Sequence, residues 1–225
     1  MKTITFTENE KELKYIIPES WKQVSIGQYM HLMSKDMEKM NELELTYHLI
    51  QSLIDIPVQK ISKFKKNEID EVFKHLMMLA ESRPSEHLNL IVEMDGVEYG
   101  FNSKLSDISL GEFTDLDTLL QDGFSNLNKV MSILYRPIVD KDKKTFRVEP
   151  YDFTKCEDRF DKFKENMSID TVFGCLCFFL TLGQEYTMTS IHYLKKLNKK
   201  KKKRESKQMK NHLVTSGDGI PSSTS

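Results

Sequence analysis

The sequence is poor in cysteine, proline and glycine, which number three, six and nine among 225 residues. Cys156, Cys175 and Cys177 are odd in number and offer no second pair at metal-ligand spacing, so neither a disulfide framework nor a zinc site is expected. Such cysteine usage is typical of a reducing compartment. The low proline and glycine content excludes a low-complexity chain and favours a folded protein with a sizeable core.

Long apolar segments are also missing. The longest run, VFGCLCFFLTL at 172–182, is well short of the roughly 20 residues that a membrane-spanning helix needs. The start of the chain, MKTITFTENE, has no apolar stretch after its lysine and does not resemble a secretory signal. We therefore expect a soluble, cytoplasmic protein without a membrane partner.

Motifs of catalysis and of metal or nucleotide binding are missing as well. The six histidines are scattered without an HExxH pattern, and no GxxxxGK[ST], GxGxxG or GxSxG sequence occurs. Acidic pairs such as Asp115 with Asp117 are common on solvated surfaces, and SGDG at 216–219 lacks the downstream Glu of a calcium loop. We expect no enzymatic activity, no cofactor, no metal and no small-molecule substrate.

The net charge of −1 conceals a strong asymmetry. Of 33 basic and 34 acidic residues, ten basic and two acidic lie in 195–225, so this segment carries +8 and the rest of the chain −9. Its polarity predicts a disordered basic C-terminal tail, either simply solvated or bound to phosphates or an acidic partner. The candidate contacts are Lys195, Lys196, Lys199, Lys200, Lys201, Lys202, Lys203 and Arg204.

Three sequence blocks occur twice in the same order, which indicates an internal duplication. The matches are VSIGQYMHL at 24–32 with ISLGEFTDL at 108–116, SLI at 52–54 with SIL at 132–134, and IDEVFKHL at 69–76 with IDTVFGCL at 169–176. The offset grows before the last block, which places an insertion at 138–168 in the second copy. We therefore divide the chain into repeat 1 (1–83), repeat 2 (84–194) and the tail (195–225).

Each copy begins with a β-hairpin signal followed by a helix start. Two short β-prone runs flank a polar segment in the first copy, and Asp95-Gly96, a dipeptide that favours a type I′ turn, separates two such runs in the second. Ser25 and Ser109 then stand three residues before Gln28 and Glu112, the spacing of a capping box. The expected fold is α+β and mostly helical, with two tandem repeats of a β-hairpin plus three helices.

The third helices of the two copies differ in polarity. The segment 69–79 keeps a polar face, whereas 172–182 is apolar nearly all round, as in a helix at the centre of a bundle. Alternatively, the second helix exposes Phe178 and Phe179 to another subunit. The pattern leaves open whether the two repeats form one domain or two.

The insertion contains a turn signal at 140–145 between two β-prone runs, which predicts an inserted hairpin arm. Arginine and aromatic side chains are favoured at interfaces. The candidate partner contacts on this arm are Arg136, Arg147, Tyr151 and Phe153. An excursion packed on its own domain is the alternative interpretation.

Two stretches, IPESWKQVSIGQYMHL at 17–32 and LYRPIVDKDKKTFRVEPYDF at 134–153, resemble small proteins from the morphogenesis region of tailed bacteriophages, particularly crAss-like phages of Bacteroides-type hosts. The resemblance implies a virion protein or a head or tail assembly factor, such as a tail assembly chaperone, with no catalytic residue to transfer. It also implies phage structural proteins as partners, and a location in the host cytoplasm during assembly or in the virion.

Three function classes follow from these patterns. The expected function is that of a non-enzymatic structural or assembly protein acting through protein–protein interaction. The alternative is a nonspecific nucleic-acid-associated protein that uses the lysine run, since a run without interleaved aromatic residues carries no base-reading signal. An enzyme with an unrecognised site is the third class, and no residue pattern favours it.

Overall fold

The computed structural model of the chain describes residues 2–8, 11–54, 56–102, 108–143 and 145–181. Its first elements are β1 (Lys2–Glu8), β2 (Lys11–Ile17), α1 (Ile26–Leu32), α2 (Glu42–Ile54), α3 (Val58–Ile61) and α4 (Lys66–Glu81). They are followed by β3 (Ile91–Met94), β4 (Val97–Phe101), α5 (Leu110–Gln121), α6 (Leu127–Leu134), β5 (Tyr135–Lys141), β6 (Phe146–Val148), α7 (Phe153–Glu157) and α8 (Phe160–Asn166). A last helix, α9, covers 169–181. This architecture confirms the α+β class.

The first hairpin forms an antiparallel two-stranded sheet in which Lys2 lies opposite Ile17. Its side chains alternate, so that Ile4, Phe6 and Ile17 are buried while Thr3, Thr5 and Ile16 are exposed. The ring of Phe6 stacks on Phe64 with the centroids 4.1 Å apart. The hairpin is thus attached to the helices through one apolar face.

The second hairpin belongs to a four-stranded antiparallel sheet with the order β3-β4-β5-β6. Asp95 and Gly96 have φ angles of 50° and 74°, so both central turn residues take the left-handed conformation that a type I′ turn requires. The turn predicted from this dipeptide is confirmed.

The hairpin predicted in the insertion is also present, as β5 and β6. β5 begins before the predicted insertion and pairs with β4, with Phe101 opposite Tyr135 and Tyr99 opposite Pro137. Tyr135 at the base of the hairpin is fully buried, whereas residues 139–143 at its tip are exposed. The base of the hairpin therefore extends the sheet, and its tip faces solvent.

Helix α9 begins in the core. Ile169, Val172 and Cys175 are almost fully buried, and the carboxylate of Asp170 accepts the amide of Ser85 at 2.7 Å. Exposure rises along the helix to 67% at Leu180. The expectation of a helix buried all round therefore holds for its first half only.

The order of elements is compatible with a duplication, because a hairpin and a Ser-capped helix open each proposed repeat. The two hairpins nevertheless differ, since one forms an isolated pair and the other part of a larger sheet. Residues 1–178 form one compact unit, so both proposed repeats fall largely within it. The basic tail at 195–225 lies outside the described residues, and among those described no helix has the length and apolarity needed to cross a membrane.

Candidate interaction surface

Reactive side chains are sparse in the described part of the chain. No group of three or more His, Cys, Asp or Glu residues there could hold a metal ion. Burial raises the pKa of Cys175 to about 12, and it also raises the pKa of Cys156 against the opposing influence of Arg159. Both thiols therefore stay protonated near neutral pH, and their burial makes them core residues rather than nucleophiles.

A polar cleft of about 700 Å³ lies between the start of α1, the end of α2 and the end of α8. Its wall includes Gln28, whose Oε1 accepts the amide of Ser25 at 2.9 Å and whose Nε2 donates to the carbonyl of Leu53 at 3.0 Å. The capping side chain of α1 thus doubles as part of the cleft. Other lining side chains are Lys22, His31, Gln51, Glu165 and Asn166.

Two buried polar atoms lie on α2 beside this cleft without a hydrogen-bond partner, Nδ1 of His48 and Oγ of Ser52. Nε2 of His48 lies 2.8 Å from the carbonyl oxygen of Leu32, so we assign the proton to Nε2 and leave Nδ1 as an acceptor. Neither atom contacts a carboxylate, and both side chains are 3% exposed. The cleft offers hydrogen bonding, but these two residues do not form a nucleophile–base–acid arrangement.

Helix α5 buries a glutamate and exposes three large apolar side chains. Among its residues the buried ones are Glu112 and Leu116, whereas Leu110, Phe113 and Leu120 are 81%, 55% and 51% exposed. At 3.6 residues per turn these three side chains lie within about 80° of arc. We call the surface formed by Leu110, Phe113 and Leu120 the α5 apolar face.

The opposite side of α5 is held by a buried ion pair. Nη2 of Arg136, on β5, lies 3.3 Å from Oε1 of Glu112, and the two side chains are 5% and 3% exposed. Burial raises the pKa of Glu112 above its usual range, opposed by the Arg136 charge and by the Ser109 amide. A single contact of this length does not offset the removal of the carboxylate from water.

A tyrosine adds a second attachment beside this pair. The hydroxyl of Tyr151 donates to the carboxylate of Asp115, and the Arg136 guanidinium lies 6.0 Å from the centre of the Tyr151 ring. Burial and the bond to Asp115 raise the pKa of Tyr151. Polar contacts with β5 and with the segment after β6 therefore fix the inner side of α5 and turn its apolar face outward.

The four predicted partner contacts do not form one exposed surface. Arg136 is 4% exposed and lies with Tyr151 beneath α5, so it is not available at the surface. Arg147 is exposed and lies 3.8 Å from Asp140, while Phe153 is partly buried and contacts the ring of Phe160. The predicted contacts from Lys195 to Arg204 fall outside the described residues.

Sequence reasoning singled out α5 only for its cap and missed its apolar face. Ser109 does cap the helix, since its hydroxyl accepts the amide of Glu112 at 3.1 Å. A helical projection of 110–121 would have shown one wide apolar stripe, in which Leu116 lies about 40° from Leu120, with Glu112 at its buried edge. An apolar stripe wider than one buried side, with a glutamate at its edge, was the available signal.

No protein-family model, curated protein or solved structure matches this chain. Its function is therefore inferred from its residues and their geometry.

Proposed function

We propose that this protein is a non-enzymatic structural or assembly protein that acts through protein–protein contacts, with the α5 apolar face as its docking surface. The exposure of three large apolar side chains on α5 is the observation that carries the proposal. A helix whose only role is to cover the core buries its apolar side chains. This helix buries Leu116 together with Glu112, and it exposes Leu110 and Phe113.

The energetics favour a partner for this face. Full burial of a Leu or Phe side chain contributes about 1.5–3 kcal/mol, so covering three of them supplies a substantial part of a binding free energy. Binding sites are most effective on rigid elements. The contacts of Arg136 and Tyr151 with the inner side of α5 provide that rigidity.

The resemblance of 17–32 and 134–153 to phage morphogenesis proteins suggests the assembly in which this docking occurs. On that proposal the chain is a virion component or a head or tail assembly factor, its partners are phage structural proteins, and it works in the host cytoplasm. If the two repeats arose by duplication, docking belongs to the second. The corresponding helix of the first, α1, buries its own apolar residues Ile26, Tyr29 and Leu32.

Quantitative mass spectrometry of purified particles and of their assembly precursors tests the proposal. We expect the wild-type protein to be enriched with particles or precursors and the double variant Leu110→Ser/Phe113→Ser to be lost from them. The matched control is Leu43→Ser/Met78→Ser, since these residues are 63% and 62% exposed on other helices. Absence of the wild-type protein from both fractions would reject the assembly role, and equal retention of all three proteins would reject α5 as its surface.

A nonspecific nucleic-acid role for the lysine run is the second candidate function. The charge of +8 on 195–225 favours it, because Lys and Arg side chains neutralise phosphates and release their counterions. The acidic remainder of the chain opposes it. A salt titration against DNA separates this candidate from the first.

A further inference from the structure

We infer that the α5 apolar face receives a basic amphipathic helix, with apolar side chains along one stripe and lysine or arginine beside them. This inference rests on the proposed docking function and adds the chemistry of the partner. It is carried by the charges that surround the exposed apolar residues.

The segment that carries the face has acidic but no basic side chains. The segment 108–128 contains four carboxylates and no Lys or Arg. Glu112 is paired with Arg136 and Asp115 accepts from Tyr151, both on the inner side. Asp117 and Asp122 are exposed, and their hydrogen bonds come from neutral amides, those of Gln121 and Asn126. Of these two, only Asp117 lies on the side of the face, and no Lys or Arg is paired with it among the described residues.

The position of Asp117 makes this charge relevant to binding. In the helical projection Asp117 falls within the same arc as Leu110, Phe113 and Leu120, so a partner that covers these residues also approaches its carboxylate. A cation from the partner would interact favourably there, whereas a neutral or acidic partner would bury or repel the charge. Charge complementarity therefore selects a basic partner.

The shape of the face selects a helix. The stripe from Leu110 to Leu120 extends about 15 Å along α5, which is about three helical turns. A partner helix that presents apolar residues at i, i+3 or i+4, and i+7 matches this length and leaves its flanks for Lys or Arg. The Asp117 carboxylate also disfavours nucleic acid and anionic lipid, which carry negative charge themselves.

A second copy of the chain is a poorer occupant for the same reason. In a two-fold symmetric dimer through this face, α5 would contact α5, because the same patch is used on both subunits. Such a contact would bring the Asp117 carboxylates of both subunits into an interface to which the segment 108–128 contributes no Lys or Arg. Burying carboxylates without cations disfavours it.

The test uses the full chain and three labelled synthetic peptides of about five helical turns. One carries Leu and Lys in amphipathic order, the second has every Lys replaced by Glu, and the third is a scramble of the first. Fluorescence anisotropy at physiological salt measures binding. We expect the Leu–Lys peptide to bind at least about tenfold more tightly than the other two.

Variants locate the binding site. Leu110→Ser/Phe113→Ser should weaken binding of the Leu–Lys peptide at least about tenfold, and Asp117→Lys should weaken it severalfold. Leu43→Ser/Met78→Ser should leave binding unchanged, and circular dichroism should confirm that all variants are folded. Equal weakening by the control pair would mean nonspecific adsorption of the peptide to exposed apolar side chains, and would overturn the inference.

Two further results would also overturn it. Self-association of the peptide-free protein that disappears in Leu110→Ser/Phe113→Ser would identify a second copy as the occupant. Equal binding of the Leu–Lys and Leu–Glu peptides would show that the partner need not be basic. If the α5 variant is nevertheless lost from particle precursors, the docking function stands and only the partner chemistry fails.

Discussion

The Glu112 side chain is buried on the inner side of α5. It belongs to the third residue of that helix, where a carboxylate near the free amide groups of the first turn would usually remain in solvent. Its partner Arg136 leaves Nε without a hydrogen-bond partner, so the pair is incompletely satisfied. A buried ion pair of this kind contributes little net stability, because two charges leave water to form it. We expect it to determine which side of α5 faces inward.

Removing one member of the pair should destabilise the protein strongly. Arg136→Ala leaves the Glu112 carboxylate buried without a counter-charge, which costs about 3–5 kcal/mol. The double variant Glu112→Leu/Arg136→Met should recover most of this loss, since apolar residues of similar volume avoid the burial of charge. Urea unfolding followed by the fluorescence of Trp21 measures both. A double variant no more stable than Arg136→Ala would contradict this account.

The raised pKa of Glu112 also predicts a pH dependence. Because the folded-state pKa lies above the ordinary value of 4.5, the folded protein binds more protons than the unfolded chain between these two values. The contribution of Glu112 to stability is therefore largest below pH 4.5 and declines as pH rises through its folded-state pKa. The difference in free energy of unfolding, wild type minus Glu112→Gln, should decline over that interval. A difference that rises with pH would show that Arg136 outweighs burial.

At the scale of elements, close packing decides where a helix can carry a side chain. Gly174 on α9 lies against the backbone of His87, in the segment that leads from α4 to β3. A methyl group at 174 would overlap the carbonyl oxygen of His87 and lie 2.8 Å from its carbon. The contact is with backbone, which cannot rotate away as a side chain can. Gly111 on α5 has no such neighbour, since the nearest atoms, on the Tyr151 ring, are 3.9 Å from the same position.

These two helical glycines predict opposite effects of the same substitution. Gly174→Ala should destabilise the protein by about 1–3 kcal/mol through overpacking. Gly111→Ala should stabilise it by about 0.5–1 kcal/mol, because alanine restricts the unfolded chain and fits the helix. Thermal unfolding of both variants checks the signs. If both change stability in the same direction, close packing at 174 is not the reason for its glycine.

For the whole molecule, charge distribution matters more than net charge. The chain is nearly neutral, yet 195–225 carries +8 and the remainder −9. An acidic body repels phosphate at short range, while salt screens charges more than about 8 Å apart at physiological ionic strength. The asymmetry therefore limits binding of DNA through the lysine run.

We expect weak, sequence-independent DNA binding that decreases log-linearly with salt, with a slope of about −0.9 for each phosphate contacted on duplex DNA. Titration of the wild type and of a variant that ends at Leu194 should show similarly weak binding at physiological salt. Duplex and single-stranded DNA at several salt concentrations are needed to obtain the slope. Submicromolar binding that is lost with the tail would place the nucleic-acid function ahead of assembly.

The sequence alone determined the features that depend on neighbouring residues. Asp95-Gly96 predicts its turn because few other residues adopt positive φ at low cost, and the turn is present. Ser25 and Ser109 predict helix starts because their hydroxyls reach amides three residues later, and both bonds form. Each of these interactions closes within four residues, so it forms from local sequence without a distant partner.

Only the tertiary structure decided which side of α5 faces solvent and how the predicted hairpin joins the sheet. Arginine is common at interfaces, which is why Arg136 was a candidate partner contact. The pairing of β5 with β4 places it in the interior, where it contacts Glu112, 24 positions earlier in the chain. With Glu112 drawn inward, Leu110 and Phe113 turn to solvent. Contacts between distant segments depend on strand register and on packing. The local sequence pattern does not specify such a contact, because the rest of the fold must first place both of its residues.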